Sequence, residues 1–400
     1  MKRILFILFS TAWCSAYAQD YSSFTETIKK LYQVAQLNDT TQLHNLWMEL
    51  KSKNSIPLVV EDSVAFLYHG SATAVVWMGD FNGWGYDKKF PNKGTRLPNS
   101  NVWILKASFP RDARLDYKII INGSIMILDP ENPHQQWSGL GGGSLNSELR
   151  MPLWKEDPIL QQRPDIPKGT VKSDLLFLSK ILKYQITYNV YLPVGYRADQ
   201  KYPIIYVTDG YEYMTPRLGN MVTILDNLIH DKKIPPIVAV FVDNREPINR
   251  SNNKRMQELA MSNQYLDFFV KELLPLIEQN YSVATEASQR GILGNSMGGL
   301  TATYFAFERP DIFGLAGIQS PAFWTKPQIY TLCSNSSKPE MKISMTSGLI
   351  NDTSEESRKM KAILETSACV HHYREVNEGH SWGNWRNLID DVLIDLFGTK

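Results

Sequence analysis

The chain has 400 residues, 43% of them hydrophobic, and its 42 Lys and Arg against 41 Asp and Glu leave a formal net charge of +1. That length exceeds one ordinary hydrophobic core and predicts two globular domains. A balance so near neutral argues against a nucleic-acid binder that works through a broad basic surface. Residues 1–18 carry the charged, apolar and small-residue regions of a secretory signal peptide, in Met1-Lys-Arg, Ile4-Leu-Phe-Ile-Leu-Phe and Ala16-Tyr-Ala18. Export to the periplasm or beyond is therefore expected, with Gln19 as the first mature residue. Trp13 is too large for a usual lipobox before Cys14. No other run approaches the roughly 20 apolar residues of a membrane span, so no membrane insertion is expected.

Over 19–55, Leu31, Val34, Leu43, Leu46, Trp47 and Leu50 suit two short helices broken at Asn38-Asp39, packed on the β-rich segment after them. Between 56 and 150 the pattern changes to short β runs separated by Gly, Asn and Pro, including Ala74-Val-Val-Trp-Met, Val102-Trp-Ile-Leu-Lys-Ala and Leu115-Asp-Tyr-Lys-Ile-Ile-Ile. Such spacing predicts an immunoglobulin-like β-sandwich. Trp77 and Trp84 either stack on sugar rings or pack within the sandwich and one of its loops. A Gly-Ser run over 139–147 and the prolines Pro152, Pro158, Pro164 and Pro167 mark a linker over 151–167. From 168 to 400 strands near 184–190, 204–207, 237–242, 290–293, 315–319, 342–346 and 370–376 alternate with helices such as 265–279 and 354–364. This predicts an α/β fold with a mostly parallel sheet covered on both faces, whose ligands bind beyond the carboxyl ends of the strands.

At one such end stands Gly294-Asn-Ser296-Met-Gly298, a G-x-S-x-G between an apolar strand and a helix-like run, the layout of a nucleophile elbow. A serine hydroxyl needs a histidine base and a carboxylate to orient it, and in α/β-hydrolases these come in the order Ser, Asp or Glu, His. His380, in the loop Asn377-Glu-Gly-His-Ser-Trp, is the expected base, whereas His371 and His372 fall inside a β run. Asp352, in the loop after 341–346, is the best placed acid, with Glu355 and Glu356 as fallbacks. The oxyanion donors are expected to be the amides of Met297 and of Tyr211, the latter beside Gly210 after an earlier core strand. Seven histidines without H-E-x-x-H or similar spacing, and two mature cysteines, Cys333 and Cys369, give no metal site, and no cofactor is expected. Whether those cysteines form a disulfide is left open.

Together Tyr202-Pro-Ile-Ile-Tyr-Val-Thr-Asp-Gly, Arg255-Met-Gln-Glu-Leu, Gly294-Asn-Ser-Met-Gly-Gly-Leu, Gln319-Ser-Pro-Ala-Phe-Trp and Glu378-Gly-His-Ser-Trp-Gly-Asn-Trp-Arg resemble the esterase-D-type branch of the α/β-hydrolases, enterochelin esterases most of all. Gly79-Asp-Phe-Asn-Gly-Trp84 and Asp129-Pro-Glu-Asn-Pro are similar to an early-set sandwich related to glycogen-binding modules. The resemblance implies Ser296 as nucleophile and His380 as base, with Asp352 matching less tightly. It also implies an exported serine esterase acting on a catecholate siderophore trilactone. The alternatives are a carbohydrate esterase releasing feruloyl or acetyl groups from polysaccharide, and a glycan-binding protein with an inert hydrolase half. Arg245, Arg250 and Arg255, in or just after a loop with four cations and one acid, are candidates for an anionic ferric catecholate. Trp324 and Trp382 are candidates for an aromatic acyl group, with Trp385 nearby.

Overall fold

In the computed structural model of the protein, which describes residues 21–139, 143–336, 341–366 and 369–398, the amino-terminal apolar spacing forms the helices Tyr21–Gln36 and Thr40–Ser52. The break falls where expected: Asn38 turns the chain at φ 56°, and the Asp39 carboxylate caps the second helix at the amide of Gln42, 2.8 Å away. The signal-peptide segment and part of the Gly-Ser run lie outside the described residues. Among the described residues no helix is long and apolar enough to cross a membrane.

Beyond these helices lie two antiparallel sheets, one of four and one of five strands. Phe66, Trp103 and Leu105 of the first meet Trp77, Leu115, Tyr117 and Ile119 of the second in one apolar cluster, which makes them a sandwich. Alternate residues of the first sheet, Ala65, Leu67, Val102 and Ile104, face the other way and are covered by Leu31, Leu46, Trp47 and Leu50 of the two helices. Trp77 is fully buried in this core. The Trp84 indole is half-buried and donates to Asp80 Oδ1 at 3.0 Å.

The remainder is an eight-stranded sheet with the α/β-hydrolase fold. Its first strands, Thr170–Leu178 and Gln185–Leu192, run antiparallel to their neighbours, and the rest are parallel. Ile204 and Tyr206 join one apolar cluster, and Ile205 and Val207 of the same strand join another, so both faces are covered. Cys333 and Cys369 are both buried in the first of these clusters. The strand Ile204–Val207 pairs with Val238–Asp243 on one side and Arg290–Asn295 on the other, so the chain reverses its direction of travel across the sheet here. In open α/β sheets ligands bind at such a reversal, beyond the carboxyl ends of the strands.

Candidate active site

Ser296 follows the strand Arg290–Asn295 and precedes the helix Met297–Glu308, with φ 55° and ψ −117°, a conformation that costs on the order of 1–3 kcal/mol in a side-chain-bearing residue. The surroundings hold it there: its amide donates to the Gln319 carbonyl and its own carbonyl accepts from Ala322, both at 2.9 Å. The flanking glycines are required by contact, because a Cβ on Gly294 would sit 2.4 Å from the Gly298 carbonyl group and one on Gly298 would sit 2.5 Å from Thr208 Oγ1.

His380 Nε2 lies 2.9 Å from Ser296 Oγ, and His380 Nδ1 lies 2.6 Å from Asp352 Oδ1. The carboxylate can only accept, so Nδ1 carries the proton, and the Ser296 hydroxyl donates to the free Nε2. The Asp352 side chain is wholly enclosed, and its Oδ2 accepts from the Gly348 amide at 2.5 Å and from Ser320 Oγ at 2.6 Å. Glu355 and Glu356 belong instead to the first turn of the helix Ser354–Thr366. His371 and His372 are on the strand Val370–Val376, where His372 faces Asp395 at 3.7 Å.

Met297 and Tyr211 both lie in the first turn of a helix, where amides lack intrahelical partners. Arg255 joins these two turns. It makes two 2.8 Å bonds to Asp209, just before the Gly210–Met214 helix, and a 3.2 Å bond to the Asn295 carbonyl beside Ser296. Its charge is thus matched within the protein. Arg245 pairs with Asp243 and stacks 4.2 Å over the Tyr211 ring, while Arg250 bridges Asp243 and Asp174 at 2.5 and 3.0 Å. The expected surplus of positive charge is therefore corrected: all three arginines meet carboxylates from outside the 244–254 loop.

The tryptophans divide in the same way. Trp382 is buried and donates to Glu212 at 2.9 Å, so its place in the core corrects the expectation that it meets an acyl group. It belongs to a row of edge-on rings, Tyr213, Trp382, Trp385 and His380, with successive centroids 5.1, 5.2 and 5.0 Å apart. Trp324 is 51% exposed with its ring 6.1 Å from that of His380, so it is the candidate left open beside the histidine. Trp385, expected near the acyl group, is buried with its ring edge-on to His380, and Ser320 was not singled out by the sequence. Ser320 could have been sought as the polar residue leaving a strand on the catalytic edge. Among the described residues no group of three or more His, Cys, Asp or Glu side chains forms a metal site.

A buried set of carboxylates backs the His380 loop. Burial pushes Glu378 up to about 7 and, with Asp116 nearby, pushes Asp80 up to about 8. The folded state then holds protons that the unfolded chain has released, so stability falls as pH rises from the ordinary carboxylate range through these values. The urea midpoint is expected to drop between about pH 5 and about pH 8, and Glu378→Gln is expected to flatten that drop. An unchanged slope in the variant would show that Glu378 is not among the groups responsible.

The family model described as "Putative esterase" matches residues 179–396. The iron(III) enterobactin esterase of Escherichia coli (strain K12) is 26% identical over 68% of this chain and 67% of its own length. An endo-1,4-beta-xylanase/feruloyl esterase of Xylanibacter ruminicola is also 26% identical, over 58% of this chain and 32% of its own length. The crystal structure of ferric enterobactin esterase from Salmonella typhimurium superposes with a TM-score of 0.71 at 19% identity, covering 88% of this chain and 98% of that one, so the fold is shared through both halves. The family match takes in more than half of the sequence, and the chain accordingly belongs to this esterase family and is a carboxylic ester hydrolase.

Proposed function

We propose that the protein is an exported serine esterase acting through Ser296, His380 and Asp352. The observation that carries this reading is the unbroken path from Ser296 Oγ through both imidazole nitrogens to a buried carboxylate, at 2.9 and 2.6 Å. Ser296 attacks the ester carbonyl as His380 takes its proton, and the amides of Met297 and Tyr211 receive the developing oxyanion. His380 then protonates the departing alcohol, and activates water to release the acyl group from Ser296, while Asp352 stabilises the transient imidazolium.

For the substrate we propose an aromatic acyl ester, a catecholate siderophore trilactone in the first place. Support comes from the fold shared with the Salmonella typhimurium enzyme across both halves, and from the exposed Trp324 ring beside His380. With Arg245, Arg250 and Arg255 each matched by a carboxylate, the rim suits an iron-free catechol ester better than its more anionic ferric complex. A second reading, release of feruloyl groups from plant polysaccharide, is favoured by the likeness to the Xylanibacter ruminicola protein. The test is mass spectrometry of products from an equimolar mixture of iron-free enterobactin, its ferric complex and a feruloylated arabino-oligosaccharide, with Ser296→Ala as control. Dihydroxybenzoylserine released first from the iron-free ligand is the expected result. Serine-dependent ferulate alone would replace the siderophore reading with the second. The intact mass of exported protein, beginning at Gln19, tests the processing step.

A further inference from the structure

The loop carrying His380 is held from the sandwich at nearly every residue. Arg114, on the sandwich strand Arg114–Ile121, donates its amide to the Asn377 carbonyl at 3.3 Å, and the Asn377 side chain donates to Asp112 at 2.8 Å. Glu378 accepts from the Trp154 indole at 3.0 Å and lies 3.8 Å from the Arg114 guanidinium. The Gly379 backbone packs so closely on Asp80 that a Cβ there would be 2.3 Å from that side chain. Arg114 Nη1 donates to Ser381 Oγ at 3.0 Å, and the guanidinium occupies the space where Gly383 would carry a Cβ. The acid's loop is tied to the same point, because Asn351 donates to the Asp80 carbonyl at 3.0 Å.

Arg114 is itself fixed. Its guanidinium pairs with Asp116 and, at 3.1 Å, with Glu148, and all three side chains are buried. A surface that only joined two domains would be served as well by apolar contacts, since a buried ion cluster contributes little net stability. Directional bonds to the residues on both sides of one imidazole do something apolar contact cannot, which is to set the position of the ring. The Ser381 hydroxyl makes no capping bond to the helix it precedes, so its bond to Arg114 does not duplicate a local role.

Building on the proposed triad, we propose that Arg114 is a positioning residue for hydrolysis: anchored on Asp116 and Glu148, it holds Ser381 and Glu378 and so fixes His380 between Ser296 and Asp352. The test is steady-state hydrolysis of p-nitrophenyl acetate by the mature protein and its Arg114→Met, Arg114→Lys, Ser381→Ala and His380→Ala variants, with a melting curve for each. The expected result for Arg114→Met is a kcat lower by on the order of 10- to 100-fold with KM within about twofold, the signature of a displaced reacting group. Arg114→Lys is expected to recover part of that loss, and Ser381→Ala to lower kcat several-fold with an unchanged melting curve. If Arg114→Met does not fold, Ser381→Ala decides, because it removes one hydroxyl and leaves the charge cluster whole. A parent-like kcat in Ser381→Ala and Arg114→Lys, or an effect confined to KM, overturns the proposal while an inactive His380→Ala leaves the triad standing. A fully active His380→Ala overturns both.

Discussion

Ser296→Ala is expected to lower kcat for ester hydrolysis by roughly a millionfold while leaving the fold intact. The hydroxyl is the only group removed, and among the described residues its hydrogen bond runs to His380 at 2.9 Å. The backbone bonds to Gln319 and Ala322 do not depend on it, so the elbow should persist with alanine in place. What remains is the pair of first-turn amides and whatever binding the neighbouring side chains supply, which sustain only slow attack by water. Purified variant and parent, compared on p-nitrophenyl acetate and by melting temperature, provide the measurement. Activity in the variant above about one per cent of the parent would mean that another group forms the acyl intermediate.

Asp352→Asn should cost about ten-thousandfold in kcat, for a reason visible in its four neighbours. One carboxylate oxygen accepts from His380 Nδ1, and the other accepts from the Gly348 amide and Ser320 Oγ, with Asn384 at 3.4 Å. An asparagine must turn its NH₂ toward one side or the other. Toward His380 it demands the opposite tautomer and places a proton on the nitrogen that should take one from Ser296. Toward Gly348 it sets donor against donor in an enclosed space, which costs on the order of 1–3 kcal/mol. Either orientation is harmful, so no repacking should rescue the variant. A loss below about tenfold would show that Asp352 holds the loop without tuning the imidazole.

Much of this architecture was legible in the residues. The central strands alternate with helices at spacings that only a covered parallel sheet explains, and Gly294 and Gly298 are glycine for the contact reason that the motif suggests. Helices without an outward face were harder to see. In Met221–His230 eight of ten residues are buried, among them Thr223, Asp226 and Asn227, so its polar residues at helical spacing mark no solvent-facing side. The strand Thr170–Leu178 fails in the opposite sense: it is an edge strand that leaves Leu176 and Leu178 exposed, so its apolar residues do not point to a core. The arginines were misread because the counted acid lay within their loop, whereas Asp174, Asp209 and Asp243 reach them from other elements. Arg114 and Asp116 alternate with Leu115 and Tyr117 as a solvent-facing set would, and the partners of Arg114 in the His380 loop, Glu378 and Ser381, are more than 260 positions away.

That separation along the chain also bears on when the enzyme can act. Ser296 emerges during synthesis well before His380, and the His380 loop closes against residues of the sandwich that were made at the start. A nascent or truncated chain therefore holds a nucleophile without its base, and an isolated carboxyl-terminal half lacks the wall on which the base is mounted. On the proposed triad, a chain not yet made as far as His380 cannot hydrolyse esters, and under the proposed export a precursor threaded through a membrane in an extended state would cross without cleaving esters on the side where it was made.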